Sequence, residues 1–81
     1  MLAVNKMQLV LYTGPGCDLC DVAYSMVMQA PLNCQIVRRN VRDDLALYHR
    51  YGAKIPVLER VDSQAQLSWP FTQNELESFL Q

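Results

Sequence analysis

Residues 13–23, "TGPGCDLCDVA", hold two of the chain's three cysteines, three positions apart. An apolar run, "MQLVLY" at residues 7–12, leads into this stretch. Bounded by "TGPG", the run suits a central strand covered on both faces. After the cysteines the period changes. Leu19, Val22, Ala23, Met26, Val27 and Ala30 fall at i, i+3, i+4, i+7, i+8 and i+11, which predicts one helical stripe against a core, with Pro31 closing it. Cys17 thus stands between a strand and a helix. There the free amides and the macrodipole of the helix N-terminus stabilise a negative sulfur, and the thiolate is the nucleophile in disulfide exchange. Cys20, one turn further on the same face, is placed to resolve a mixed disulfide formed at Cys17. Gly14, Pro15 and Gly16 shape the turn and leave the first sulfur uncovered.

The chain has 81 residues, about half of them hydrophobic. That is enough for one domain, residues 1–81, and not for two. A domain of this size buries roughly 60% of its unfolded surface, so its stability margin is thin. Seven Lys plus Arg stand against eight Asp plus Glu. This balance supplies no field for nucleic acid. The one basic cluster, Arg38, Arg39 and Arg42, is expected to be a solvated strand end and loop. No stretch approaches the roughly 18 apolar residues of a membrane span. Asn5, Lys6 and Gln8 interrupt the first apolar run, and no small-residue cleavage site follows, so no signal peptide is expected. A cytoplasmic monomer is the expectation. Thiols there stay mostly reduced, and an odd cysteine count argues against a structural disulfide framework. Any disulfide is then expected to be transient.

The remaining elements follow from local signals. "NCQIVRRNV", residues 33–41, is expected to be a second strand. Asp43 or Asp44 can cap a short helix over "DLALYHRY", and Gly52 stands where a left-handed helix terminator belongs. "IPVLERV" is a third strand with Pro56 near its start, where a missing amide is tolerated. "DSQ" turns it back into a fourth, "AQLSW". Thr72 and Glu75 form a T-x-x-E capping box, with Phe71 and Leu76 placed for a hydrophobic staple. Leu76, Phe79 and Leu80 share one face of the last helix. The order is β-α-β-α-β-β-α, an α/β arrangement with a four-stranded mixed sheet and three helices.

Taken together, Leu11-Tyr12, "GCDLC" at 16–20, "RYGAKIPVL" at 50–58 and Pro70-Phe71 resemble the small glutaredoxin-like proteins of the thioredoxin superfamily. The resemblance covers nearly the whole chain. It implies a thioredoxin fold and a thiol-disulfide oxidoreductase in which Cys17 attacks and Cys20 resolves. It further implies that Pro56 is cis and faces the cysteines, and that the Ile55 backbone pairs with an extended thiol substrate. Tyr12, Thr13 and Gly16 would flank the site. The implied substrate is a disulfide-containing protein or a small thiol. No bound cofactor is implied, only an external reductant, glutathione or a thioredoxin-type donor.

Three departures from true glutaredoxins bear on this expectation. Gly14 stands where those proteins usually carry a lysine that helps hold glutathione. "LSWPFT" lacks their Gly-Gly turn and acidic residue before the last helix. Both weaken the case for glutathione recognition. Asp18-Leu19 replaces the usual Pro-Tyr between the cysteines. The Asp18 carboxylate opposes a thiolate at Cys17, with Asp21 adding a second negative charge. A thiolate less acidic than a typical glutaredoxin's, and a weaker oxidant, are predicted.

Other readings of the same residues exist. Cys17, Cys20, Cys34 and His49 are a possible zinc set by type, but their spacing is wrong for a compact ribbon. Cys34 is expected to be a buried small hydrophobe and His49 a helix-surface residue. An iron-sulfur cluster shared between two chains through Cys17 is a lesser option. A thioredoxin-fold module that only binds a partner is the non-catalytic alternative, with "SWPF" as its docking surface. Trp69, Arg50 and Tyr51 are expected to serve core and helix end before groove.

Overall fold

The computed structural model describes residues 7–81. The expectation that no signal peptide is present falls in part on residues 1–6, outside the described residues. Strands β1 (Met7–Thr13), β2 (Cys34–Asn40), β3 (Val57–Arg60) and β4 (Gln66–Ser68) form one sheet in the order β2-β1-β3-β4. β1 pairs parallel with β2 and antiparallel with β3, and β3 pairs antiparallel with β4. The helices are α1 (Asp18–Gln29), α2 (Leu45–Tyr51) and α3 (Gln73–Phe79).

Alternation along the strands divides the sheet into two faces. On one, Leu9, Leu11 and Leu58 are fully buried with Ala23, Val27, Leu76 and Leu80, so this face packs against α1 and α3. On the other, Tyr12 and Val57 join Val41, Leu47, Tyr51 and Ile55 in a smaller cluster under α2. Leu11 stands opposite Leu58, and Tyr12 opposite Val57. β1 therefore contributes to both clusters, as its unbroken apolar run requires.

Local chemistry accounts for the element ends. Asp44, not Asp43, caps α2, its Oδ1 accepting from the Ala46 amide at 2.8 Å. Asp43 belongs instead to a 3-10 turn over Val41–Asp43, which Asn40 caps. Thr72 and Glu75 complete the capping box of α3 in both directions. Phe71 and Leu76 are both buried behind it, where a hydrophobic staple places them. At the far end of α3, Arg60 donates to the Phe79 and Gln81 carbonyls at 2.8 and 2.7 Å while gripping the Asp62 carboxylate with two further donors. β3 is thereby tied to the last turn of the helix.

Two expectations need correction. The α1 stripe turns differently from the sequence reading. Cys20, Ala23, Val27 and Ala30 are buried, whereas Leu19 and Val22 are 49% and 47% exposed. Cys20 is the inward residue of the first turn, and with Ala23, Val27 and Ala30 it turns the buried face by about half a position, roughly 50°, from the expected stripe. Gly52 is not a left-handed terminator. Its φ and ψ are −52° and −35°, ordinary right-handed values. Glycine is there for space: a Cβ would lie 3.1 Å from the Tyr48 ring and closer still to the Tyr48 carbonyl.

Leu58→Ala should cost about 2–5 kcal/mol, the usual range for emptying a fully buried leucine site. Val22→Ala, on the exposed face of α1, should stay within about 0.5 kcal/mol of the parent. Urea unfolding of both variants checks the orientation of that helix.

Candidate active site

Cys17 follows the turn at the end of β1 and is the N-cap of α1, with extended backbone angles of −93° and 97°. The turn needs a left-handed residue, and Gly16 supplies it at φ 67°. Pro15 then Gly16 is the order that type II turns favour. The Cys17 sulfur accepts a hydrogen bond from the Cys20 amide at 3.0 Å. A sulfur thus fills the role usually taken by a serine or aspartate oxygen.

Cys17 and Cys20 are joined by a disulfide, with their Cα atoms 5.2 Å apart. The two halves are not equivalent. Cys17 is partly exposed, while Cys20 is only 2% exposed and packs inward from α1. An incoming sulfur can reach the first and not the second. Asp18 and Asp21 occupy the same first turn and are exposed. They suit the positive end of the helix and oppose a negative Cys17. Arg38 lies 4.0 Å from Asp21 and also over the Tyr24 ring at 3.9 Å.

The Ile55–Pro56 bond is cis, as is Trp69–Pro70. The Pro56 carbonyl accepts from the Trp69 amide at 3.2 Å. Gly14 ties this segment to the cysteine turn, because a Cβ placed on it would come within 2.8 Å of the Ile55 Cδ1. Gly14, Ile55 and Pro56 therefore meet at the end of the sheet where Cys17 stands. Trp69 is half-buried, packs on the main core and meets Phe71 edge to face at 5.0 Å.

Tyr12 lies one residue before the end of β1. Its ring stacks on Tyr51 at 4.3 Å, and its hydroxyl donates to Glu59 Oε1 at 2.6 Å. Burial, reinforced by the Glu59 carboxylate, pushes the Tyr12 hydroxyl up to about 12. Nothing in the local sequence around Tyr12 announces these contacts, since Glu59 is 47 positions away.

The other cysteine lies elsewhere. Cys34 starts β2 and pairs with Met7, the first described residue of β1, whereas Cys17 follows the last. The proposed zinc set of Cys17, Cys20, Cys34 and His49 is thus not brought together. Among the described residues, no group of three or more His, Cys, Asp or Glu side chains could hold a metal. Cys34 is partly buried, and that burial raises its thiol pKa. Among the described residues, no helix is long and apolar enough to cross a membrane.

A mixed four-stranded sheet, three helices and a cysteine pair at a helix start define a small thioredoxin-fold protein with a site fit for thiol redox chemistry. The chain belongs to the family described as Glutaredoxin-like domain (DUF836), which it matches over residues 8–81. Two solved structures illustrate the likeness. Target protein XcR50 from X. campestris is 35% identical, with 89% of this chain and 93% of that one covered and a TM-score of 0.80. Protein Ne2328 from Nitrosomonas europaea is 24% identical, with 100% and 99% covered and a TM-score of 0.77. A search of curated proteins finds no match.

Ultraviolet titration should show one tyrosine ionising near 12, two units above the ordinary value of about 10. The native state holds its proton longer than the unfolded chain. This contribution to stability is therefore complete below about pH 10 and lost as pH rises through 12. Glu59→Gln should lower the transition without returning it to the ordinary value, because burial is the larger cause.

Proposed function

We propose that the protein is a thiol-disulfide oxidoreductase, and the observation that carries this is the asymmetry of the pair. Cys17 is reachable and caps a helix, while Cys20 is buried one turn behind it. In the reduced protein, the Cys17 thiolate attacks one sulfur of a substrate disulfide. A Cys17–substrate disulfide forms and the other substrate sulfur leaves as a thiolate. Cys20, after losing its proton, attacks the Cys17 sulfur and releases the second substrate thiol. Two electrons pass to the substrate, and the Cys17–Cys20 disulfide remains. An external thiol reductant closes the cycle, and the protein needs no bound cofactor for it.

The Cys20 amide hydrogen bond and the helix N-terminus favour the Cys17 thiolate. Asp18 and Asp21 oppose it. The balance gives a less acidic thiolate and a weaker oxidant than the cysteine and helix alone would produce. The substrate backbone runs along Ile55 and Pro56, with Gly16 and Tyr12 at the edges of the site. Glutathione is a poor fit as reductant. Gly14 offers no cation, and the space a side chain would occupy there is already taken by Ile55. A disulfide-bearing protein is the better candidate substrate. The cytoplasm, where thiols are kept reduced, is the proposed compartment.

Cys17→Ser should abolish reduction of hydroxyethyl disulfide, and Cys20→Ser should still attack but accumulate as the mixed disulfide, visible by mass spectrometry. Wild-type protein inert with both glutathione and a thioredoxin-type donor would leave the partner-binding module as the reading that stands. Asp18→Asn should lower the Cys17 pKa, followed by thiolate ultraviolet absorbance. A reduction potential above roughly −150 mV for the wild-type pair would contradict the weak-oxidant assignment.

A further inference from the structure

The segment that carries Ile55 and Pro56 hangs from the end of α2. Tyr51 is the last residue of that helix, and its carbonyl accepts from the Lys54 amide at 2.7 Å. The Tyr51 side chain is 5% exposed and is held on two sides. Its ring lies on Tyr12, 4.3 Å between centroids and 23° from parallel. Its hydroxyl accepts from Gln66 Nε2. Tyr12 in turn donates to Glu59. Glu59 and Gln66 are themselves directly opposed across β3 and β4. Two cross-strand neighbours therefore pin two stacked rings.

Each ring belongs to a different arm of the site. Tyr12 is followed by Thr13 and Gly14, which lead to Cys17. Tyr51 is followed by the turn that leads to Ile55. The arms meet again where Gly14 lies under the Ile55 side chain, and Ile55 packs in the same cluster as both tyrosines. The stack is thus a side-chain contact that joins the roots of both arms.

We propose that Tyr51, held on Tyr12 by its hydrogen bond from Gln66, is a positioning residue that sets the Ile55 backbone relative to the Cys17 sulfur. The clamp acts on substrates long enough to pair along Ile55. A small disulfide needs only the exposed sulfur and is indifferent to it. This inference rests on the thiol-exchange reading above and adds a residue that touches neither sulfur. Placement of a reacting partner is worth large factors in rate, and one hydrogen bond sets the scale of what its loss can do.

The test compares Tyr51→Phe, Gln66→Ala and the double variant with the parent, all pre-reduced. One probe is hydroxyethyl disulfide. The other is a linear peptide whose central cysteine is capped by mercaptoethanol, so the leaving thiol is the same. Each single variant should raise the half-saturating peptide concentration about threefold to tenfold, the range of one hydrogen bond. The double variant should be no worse than either single one, since both remove the same bond. Rates with hydroxyethyl disulfide and the Cys17 pKa should not move. Amide hydrogen exchange at Lys54 should quicken in Tyr51→Phe. Unchanged peptide kinetics in folded variants would overturn the proposal. So would equal slowing of both probes, which would place the effect on Cys17 or on global folding. A wild type inert to both probes is a different result: it removes the redox reading itself, and the positioning role with it, whatever the Lys54 amide does.

Discussion

One hydrogen bond, from the Cys20 amide to the Cys17 sulfur, satisfies two requirements at once. The first turn of any helix has amides with no partner inside the helix, and something must accept from them. Here the acceptor is the atom available for chemistry. Because Cys17 must stand outside the helix to cap it, the sulfur stays accessible. Because the bonded amide belongs to N3, Cys20 follows one turn on, and its side chain points into the protein. The difference between the two sulfurs is thus a consequence of how the helix begins. The rest of α1 obeys the same constraint: with Cys20 inward, Ala23, Val27 and Ala30 face the sheet, and Leu19 and Val22 face solvent.

This geometry explains which parts were legible in the sequence. Signals carried by neighbours in the chain were readable: Thr72 with Glu75, the turn around Gly16, the unbroken run of β1, and the order of elements. The hairpin of β3 and β4 was readable from the turn between them, whereas the antiparallel pairing of β1 with β3 is not written in that order. The orientation of α1 was harder, because its apolar residues cover more of the helix than the core uses. Leu19, Val22 and Ala23 look alike in a hydropathy pattern, and only the inward demand of Cys20 separates them. Gly52 misled for a different reason. Glycine after a helix most often marks a left-handed residue, but here the neighbouring Tyr48 decides its identity. Clamps such as Tyr12 with Glu59, or Tyr51 with Gln66, are set by strand register and by where α2 lands. No local pattern encodes them.

The two faces of the sheet divide the work. The face under α1 and α3 carries the main core, an aliphatic centre with Phe71 in it and Tyr24, Trp69 and Phe79 packed against it. The face under α2 is smaller, aromatic and partly polar, with tyrosine hydroxyls satisfied by Glu59 and Gln66. Aliphatic packing resists disruption but specifies orientation weakly. Stacked rings with bonded hydroxyls specify it more strongly, since each needs a partner at a defined point. The bonded tyrosine hydroxyls lie on the side that carries Ile55, and the aliphatic centre lies on the side that α1 covers.

Gly14 brings the two sides together. It has no side chain, and the Ile55 δ-methyl occupies the volume a Cβ would need. A lysine at this position, of the kind that helps hold glutathione, would first have to displace that methyl. That methyl is the far end of a flexible side chain, so a rotation within Ile55 can make room without moving the backbone beside Pro56. A cation gained at residue 14 would therefore come with a turned Ile55 side chain. A chain that keeps Gly14 keeps the close approach of its two arms. Asp18, a carboxylate beside Cys17, disfavours an anionic partner as well as an anionic thiolate.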